Sequence, residues 1–295
     1  MTQYKKIRKA VFPAAGFGTR FLPVTKAQPK EMLPIVDKPV IQYLVEEAVA
    51  AGIEEIIIVT GRGKRSIEDH FDYSYELEQT LVEKGKSKLL KEVRAIAEMA
   101  KFIYVRQPRP LGDGHAILCA KEVVGDEPFA VLFGDDLVDG KVPAIKQLID
   151  VYNQTGAPVI ALEKIKKEDS YKYGMIKSLR TVFGNARLHE IIELIEKPEP
   201  KNAPSDLGII GKYIVTPEVM SALELSPKSA DGEIRLIEGF KMLLGKSPIY
   251  GLEVEGRRYD TGDKLGFLQA TIDFALQRKD LGPALREHLK NYCKI

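Results

Sequence analysis

The chain has 295 residues, 44% of them hydrophobic, which is ample for one large core or a core with a small extension. Its 44 lysines and arginines against 42 acidic residues give a net charge of +2, which excludes both the basic footprint of a nucleic-acid binder and an acidic tail. Cys119 and Cys293 lack metal-ligand spacing, the N-terminal stretch lacks an apolar signal core, and no run approaches a membrane span, so a cytoplasmic protein with no membrane or nucleic-acid partner is expected.

The first predicted element is a short buried strand, "VFPAA" at residues 11–15, bounded by glycine. The turn that follows carries Gly16, Gly18, Thr19 and Arg20. Its glycines let a ligand approach the main chain, and its successive N–H groups, hydroxyl and guanidinium suit an anion. A dinucleotide fingerprint is excluded, because Phe21 stands where the third glycine belongs. A Walker loop is excluded because no Gly-Lys-Ser/Thr ends the turn. Pro23, Pro29 and Pro34 prevent an immediate helix, so the loop is long and carries Arg20, Lys26 and Lys30 along it. Strand, turn and staggered cations together predict a polyphosphate site rather than a solvated basic loop.

Further along, "KPVIQYLVEEAVAAG" places Val40, Ile41, Leu44, Val45, Ala48 and Val49 on one helical stripe. Strands are predicted at residues 54–61 and 101–108, with a long, charged, mostly helical excursion at 66–100 between them. Next come a helix in "GHAILCAKEVV", a strand in "FAVLFGDD", a helix in "AIKQLIDVYNQ" and a strand in "APVIALEKI". The second half mixes "HEIIELIEKP" and "GIIGKYIVTP" with helices at 232–244 and 264–276. Strand and helix alternate through the first half, which predicts a parallel sheet covered on both faces. No Gly-, Ser- or Pro-rich linker divides the chain, so a single α/β/α domain over 1–295 is expected, closing on a helical segment at 263–295.

Ligands in such sheets bind beyond the carboxyl ends of the strands. Asp135 and Asp136 fall at one such end, Glu196 and Lys197 at another, and Asp260 just before a Thr-Gly turn. Aspartates facing a phosphate loop suit Mg²⁺, which takes one or two carboxylates plus phosphate oxygens. Each motif alone also has an ordinary reading, a helix cap or Asx turn for the aspartates and a surface ion pair for Glu196 and Lys197. His115 receives no role from sequence, and no Ser–His–Asp or Cys–His spacing predicts a covalent intermediate.

These residues bring a resemblance into view. The blocks "FPAAGFGTRFLPVTKAQPKEMLP", "QPRPLG" with "GHAI", "GDD", "YGMI", "EKP", "APSDLGIIGKYI" and "YDTGDKLGF" are spread in order over residues 11–267. Together they resemble the bacterial UTP–glucose-1-phosphate uridylyltransferases, a branch of the sugar-phosphate nucleotidylyltransferases. The Gly-x-Gly-Thr-Arg turn belongs to the wider group, and "LPVTKAQPKEMLP" with "APSDLGIIGKYI" narrows it to the uridylyl branch.

The resemblance implies a Rossmann-like, three-layer nucleotide-diphospho-sugar transferase fold with a mostly parallel mixed sheet, assembled as a homodimer or homotetramer. It implies transfer of uridylyl from UTP to glucose 1-phosphate, giving UDP-glucose and pyrophosphate with the help of Mg²⁺. Main chain at Ala14 and Ala15, with Gly16, Gly18, Thr19 and Arg20, would hold the nucleotide phosphates, and Lys30 would neutralise them. Gln107 and Gly112 would read the uracil, Asp135 and Asp260 would hold Mg²⁺, Gly174 and Glu196 would contact the hexose, and Lys197 its phosphate. Three positions depart from the pattern: Asp113 where an apolar residue is usual, Gly134 where proline often precedes the metal aspartate, and Asp206 where asparagine is common. Two alternatives stay open, a thymidylyl- or cytidylyltransferase for a hexose 1-phosphate and a non-catalytic regulatory paralogue that binds nucleotide sugar.

Overall fold

Strand β1 (Lys9–Ala14) has no polar face: Ala10, Phe12 and Ala14 enter one core cluster while Val11 enters another. The same alternation recurs in β4 (Glu55–Thr60), where Ile56 and Ile58 face one cluster and Ile57 and Val59 the other. A strand buried on both faces must be central, with helices on either side, and each buried isoleucine contributes about 1.5–3 kcal/mol. The computed structural model describes residues 4–229 and 231–292. Cys293 and the end of the expected C-terminal segment lie outside the described residues.

Between these strands, β1 leads through three single-turn 3-10 helices (Thr19–Phe21, Val24–Lys26 and Lys30–Met32) to a small hairpin of β2 (Pro34–Ile35) and β3 (Lys38–Pro39). The prolines exclude α-helix here, as expected, yet the loop is coiled rather than open. Helix α1 (Val40–Ala50) starts directly after Pro39 and buries Val40, Ile41, Leu44, Val45 and Ala48. After β4 come α2 (Arg65–Phe71), α3 (Tyr75–Glu83) and α4 (Ser87–Glu98), and then strand β5 (Lys101–Arg106). Helices α5 (Asp113–Cys119) and α6 (Lys121–Val124) precede β6 (Phe129–Leu132). The predicted strand "FAVLFGDD" divides here, because β7 (Asp136–Asp139) leaves the main sheet.

Helix α7 (Ala144–Thr155) leads to β8 (Val159–Lys164), and a long hairpin follows, β9 (Gly174–Val182) with β10 (Asn185–Glu196). Strand β11 (Leu207–Val215) is followed by α8 (Pro217–Glu224) and α9 (Leu236–Lys241). The chain continues through β12 (Tyr250–Glu253), β13 (Arg257–Asp260), α10 (Lys264–Gln277) and α11 (Gly282–Tyr292).

The nine-stranded sheet has the order β5-β4-β1-β6-β11-β8-β12-β10-β9. Only β10 and β11 run against the rest, so the sheet is mixed and mostly parallel, as the resemblance implies. One core cluster joins the sheet to α1 and α7, the other to α5, α8 and α9, which makes the three layers. A buried ion pair binds one outer layer to the sheet. Lys212 Nζ on β11 lies 2.8 Å from Glu47 Oε2 on α1, and Glu47 Oε1 accepts from the N–H of Ile145 on α7 at 3.0 Å. Among the described residues, no helix is long and apolar enough to cross a membrane.

Candidate active site

Beyond the end of β1 the glycine turn lies open. Ala14 is buried, whereas Gly16, Phe17, Thr19 and Arg20 are exposed. Gly18 sits at φ 65, and a Cβ there would stand 3.1 Å from Lys30 Cβ, so glycine lets the turn fold back onto Lys30. The Thr25 hydroxyl secures that fold by donating to Gly18 O at 2.8 Å. Ala15 packs against Gly61, where a Cβ would come within 3.0 Å of Ala15 O.

Lys30 Nζ reaches across to Asp135 Oδ2 at 2.6 Å. Burial drives the Lys30 pKa down, but the charges of Asp135 and Glu31 more than offset this and leave it raised. For Asp135, burial pushes upward, yet Lys30, Arg20 and Arg258 together hold the carboxyl below its ordinary value. Asp135 therefore stays ionised.

Asp260 is brought alongside by the second, two-stranded sheet, in which β13 pairs with β7 and Asp260 stands opposite Asp136. Thr261 completes the link, because its N–H and its hydroxyl both donate to Asp135 O, at 2.8 and 3.0 Å. Both carboxylates converge at Gly262. A Cβ built there would lie 2.5 Å from Asp135 Oδ2, 3.0 Å from Asp260 Oδ1 and 3.2 Å from Arg20 Nη1. Asp260 Oδ1 also accepts from Gly262 N at 2.9 Å, so the Asx-turn reading is realised together with the convergence. Burial raises the Asp260 pKa, and the nearby carboxylates of Asp136 and Asp135 add to it, which marks a place where positive charge is in demand. Among the described residues no group of three or more His, Cys, Asp or Glu could hold a metal by themselves. Two carboxylates at a side-chain-free glycine still fit a hard divalent cation whose remaining ligands are phosphate oxygens and water.

Asp136 has a different task from its neighbour. Its Oδ2 accepts from Gly211 N at 2.6 Å, and its Oδ1 accepts from Arg258 Nε. A Cβ at residue 211 would lie 2.5 Å from Asp136 Oδ2, so only glycine permits the contact. Arg258 is almost fully buried and also donates to Glu163 Oε2 at 3.1 Å and to the Tyr173 hydroxyl at 3.2 Å. One guanidinium thus joins the aspartate cluster to the segment that carries Gly174.

Gly174 and Glu196 are cross-strand partners in the β9–β10 hairpin. Because β10 runs against the parallel strands, this pairing brings Glu196 to Gly174, and the rule for parallel strand ends does not apply. Glu196 Oε1 accepts from Arg235 Nη1 at 3.1 Å and lies 3.6 Å from Lys197 Nζ. Lys197 is half exposed, with its N–H bonded to Tyr173 O at 3.1 Å and its φ at 44, a left-handed backbone that a lysine rarely adopts.

The third group forms where β5 ends. Gln107 is buried, and its Nε2 donates to Gly112 O at 3.0 Å. Gly112 has φ 100, and a Cβ there would strike Ile234 O at 2.4 Å. Asp113 explains its own departure from the apolar pattern. Its Oδ1 accepts from Gly114 N at 2.6 Å and from Leu236 N at 2.9 Å, clamping this loop to the first turn of α9. Gly134 is likewise constrained, since a Cβ there would lie 2.8 Å from Glu31 Cγ. Glu31 itself is buried against Lys64 Nζ at 2.8 Å. Asp206 is exposed, and its carbonyl accepts from Ile165 N at 2.9 Å.

The structure therefore gathers Arg20, Lys30, Asp135 and Asp260 into one cluster, Gln107 and Gly112 into a second, and Gly174, Glu196 and Lys197 into a third. Arg258, Arg235, Thr261 and the Glu31–Lys64 pair were not foreseen. Arg258 had one available signal, since it stands two residues before Asp260 and strand alternation puts both on one face. The remaining pairings, Thr261 with Asp135, Arg235 with Glu196 and Glu31 with Lys64, join residues 126, 39 and 33 apart, too distant to signal anything locally.

Comparison with known proteins identifies the family. The family model described as nucleotidyl transferase matches residues 9–275. The chain is 50% identical over 290 residues to the UTP–glucose-1-phosphate uridylyltransferase YngB of Bacillus subtilis, covering 98% of this chain and 97% of that protein. It is 51% identical over 286 residues to UTP–glucose-1-phosphate uridylyltransferase 2 of Staphylococcus saprophyticus, covering 97% and 98%. Among solved structures, the UTP-bound UGPase of Acinetobacter baumannii superposes with a TM-score of 0.89 at 40% identity, covering 96% of this chain and 98% of that one. A UDP-glucose pyrophosphorylase complexed with UDP-glucose gives 0.83 at 42% identity, covering 92% and 100%. With the glycine turn and both aspartates inside the matched region, the chain belongs to the nucleotidyl transferase family.

Proposed function

We propose that this protein transfers the uridylyl group of UTP to glucose 1-phosphate, forming UDP-glucose and pyrophosphate. The observation that carries the reading is the convergence of Asp135, Asp260, Arg20 and Lys30 beside the open glycine turn. Near-complete coverage of relatives named for that reaction supports the choice of substrates.

A phosphate oxygen of glucose 1-phosphate attacks the α-phosphorus of UTP, and the bond from that phosphorus to the β-phosphate oxygen breaks in line. Pyrophosphate leaves with the electron pair, and no proton has to move because the attacking oxygen is already ionised. The obstacle is the approach of two anions. Gly16, Gly18 and Thr19 supply main-chain and hydroxyl donors, Arg20 and Lys30 supply charge on the nucleotide side, and Lys197 supplies it on the sugar side. Gln107 and Gly112 contact the base, while Gly174 and Glu196 hold the hexose. Mg²⁺ would be held by Asp135 and Asp260, and when bound it supplies neutralisation of the phosphate oxygens. The same reading includes a cytoplasmic homodimer or homotetramer, supported by exposed Leu265, Leu268 and Ile272 along α10.

Pyrophosphate release with UTP, dTTP and CTP against several hexose 1-phosphates tests the reaction, with UTP and glucose 1-phosphate expected to give the highest kcat/KM. Faster consumption of dTTP or CTP would move the chain to another branch, and tight binding without turnover would make it a regulator.

Lys197→Ala tests the sugar side. A surface ion pair contributes little, whereas a charge-assisted bond to the sugar phosphate contributes about 1.5–3 kcal/mol, or about ten- to hundredfold in affinity. Glucose 1-phosphate KM should rise by about that factor while UTP affinity holds. Unchanged sugar-phosphate kinetics would return Lys197 to the surface.

A further inference from the structure

His115 lies on α5, and its Nδ1 is 3.0 Å from Gln107 Nε2. The same amide nitrogen is 3.0 Å from Gly112 O. A main-chain carbonyl can only accept, so the atom facing it must be the amide nitrogen, and this settles which end of the Gln107 amide is which. The second amide hydrogen then points at His115 Nδ1, which has to accept it. His115 is therefore neutral and protonated on Nε2. Burial and the charge of Lys228 both lower its pKa, in keeping with that state. Its other close neighbour, Cys119 Sγ at 4.0 Å, is a weak partner that does not compete. Both Gln107 amide hydrogens are thus consumed inside the protein. No protein donor reaches Oε1 among the described residues, so the carbonyl is what the side chain offers a ligand.

We propose that His115 is a positioning residue for base selection, acting by holding the Gln107 amide so that its carbonyl faces the nucleobase. A fixed carbonyl accepts the N3–H of uracil or thymine and meets the bare N3 of cytosine as acceptor against acceptor. Gly112 O provides one anchor for the amide and His115 the other. With one anchor lost the amide can turn, and a donor becomes available to cytosine. This inference rests on the reading in which Gln107 contacts the base.

The test compares kcat/KM for UTP and CTP, at saturating glucose 1-phosphate, in wild type, Gln107→Ala, His115→Leu, His115→Asn and the Gln107→Ala/His115→Leu double variant. The UTP-to-CTP ratio should fall about tenfold in His115→Leu, the scale of one hydrogen bond. In His115→Asn the ratio should stay within about threefold of wild type, because Oδ1 of the new side chain can accept where Nδ1 did. In the double variant the histidine change should move the ratio no further than Gln107→Ala alone. A wild-type ratio in His115→Leu, with a lowered one in Gln107→Ala, overturns the role of His115. Equal losses in His115→Leu and His115→Asn overturn it too, because packing would then be the cause. If Gln107→Ala keeps the wild-type ratio, the reading of Gln107 falls first and this inference with it. The tautomer is checked without any variant by a long-range ¹H–¹⁵N correlation spectrum of the full chain, where an unprotonated Nδ1 is expected and a protonated one overturns the proposal.

Discussion

Asp135→Asn should fold normally and lose roughly a hundredfold or more in kcat, the scale of removing one strong transition-state stabiliser. The change keeps size and leaves the Thr261 bonds to the Asp135 carbonyl intact, since these use main chain. It removes the charge that faces Lys30 at 2.6 Å and converges with Asp260 at Gly262. The Mg²⁺ requirement should shift to higher concentration, and wild-type turnover should vanish in chelator and return with added Mg²⁺. Acid stability supplies a second readout. The folded Asp135 pKa is depressed, so its contribution is fully present above the ordinary aspartate range and is lost as pH falls through the folded value. Asp135→Asn should lack that part of the acid-induced loss. A variant with kcat within threefold of wild type, or full wild-type activity in chelator, would remove Asp135 from the metal site.

Arg258→Met carries the largest expected cost in stability. Without the guanidinium, the nearly buried Asp136 carboxylate keeps only the Gly211 N–H at 2.6 Å. Breaking a buried pair by removing one partner costs about 3–5 kcal/mol, because the remaining charge is stranded. For a chain of 295 residues that is a fall in Tm of roughly 5–8 °C. Adding Asp136→Asn should restore much of it, because the asparagine carbonyl can still accept from Gly211 while no charge is left buried. Arg258 also touches the Tyr173 hydroxyl at 3.2 Å, next to Gly174, so glucose 1-phosphate KM should rise in Arg258→Met at temperatures where it is folded. A melting temperature within 2 °C of wild type would show that the pair is worth no more than a surface contact.

Oligomeric state offers a simpler measurement. Leu265 and Leu268 are 63% and 57% exposed on α10, about one turn apart, with no neighbour covering them among the described residues. A single species of dimer or tetramer mass in sedimentation is expected, and Leu268→Glu should shift it toward monomer. A wild-type chain that sediments as a monomer at micromolar concentration would remove the oligomer from the reading.

Much of the fold was legible in the sequence because it depends on short-range rules. Short β-branched runs such as residues 56–59, closed by Gly61, suit central strands, the proline spacing after Phe21 forbids α-helix, and the stripe from Val40 to Ala48 defines α1 before any partner is known. The glycine turn with its cations, and the aspartates after β6 and within "RRYDTGD", were equally readable, since each motif carries its own chemistry within a few residues. Sequence alone thus determined the strand–helix alternation, the position of the glycine turn with its cations and the carboxylates that follow β6 and precede the Thr-Gly turn. Tertiary structure decided what those residues do to one another. Asp135 and Asp136 look alike in "GDD", but only β11 and β13 show that one faces Lys30 while the other is taken up by Gly211 and Arg258. Glu196 reaches Gly174 by antiparallel pairing, Asp113 clamps a helix 123 residues away, and His115 turns out to hold Gln107. These contacts join residues that no local periodicity relates, because hydrogen bonds and ion pairs are set by distance in space, and only the packing of strands, helices and loops brings those segments within reach.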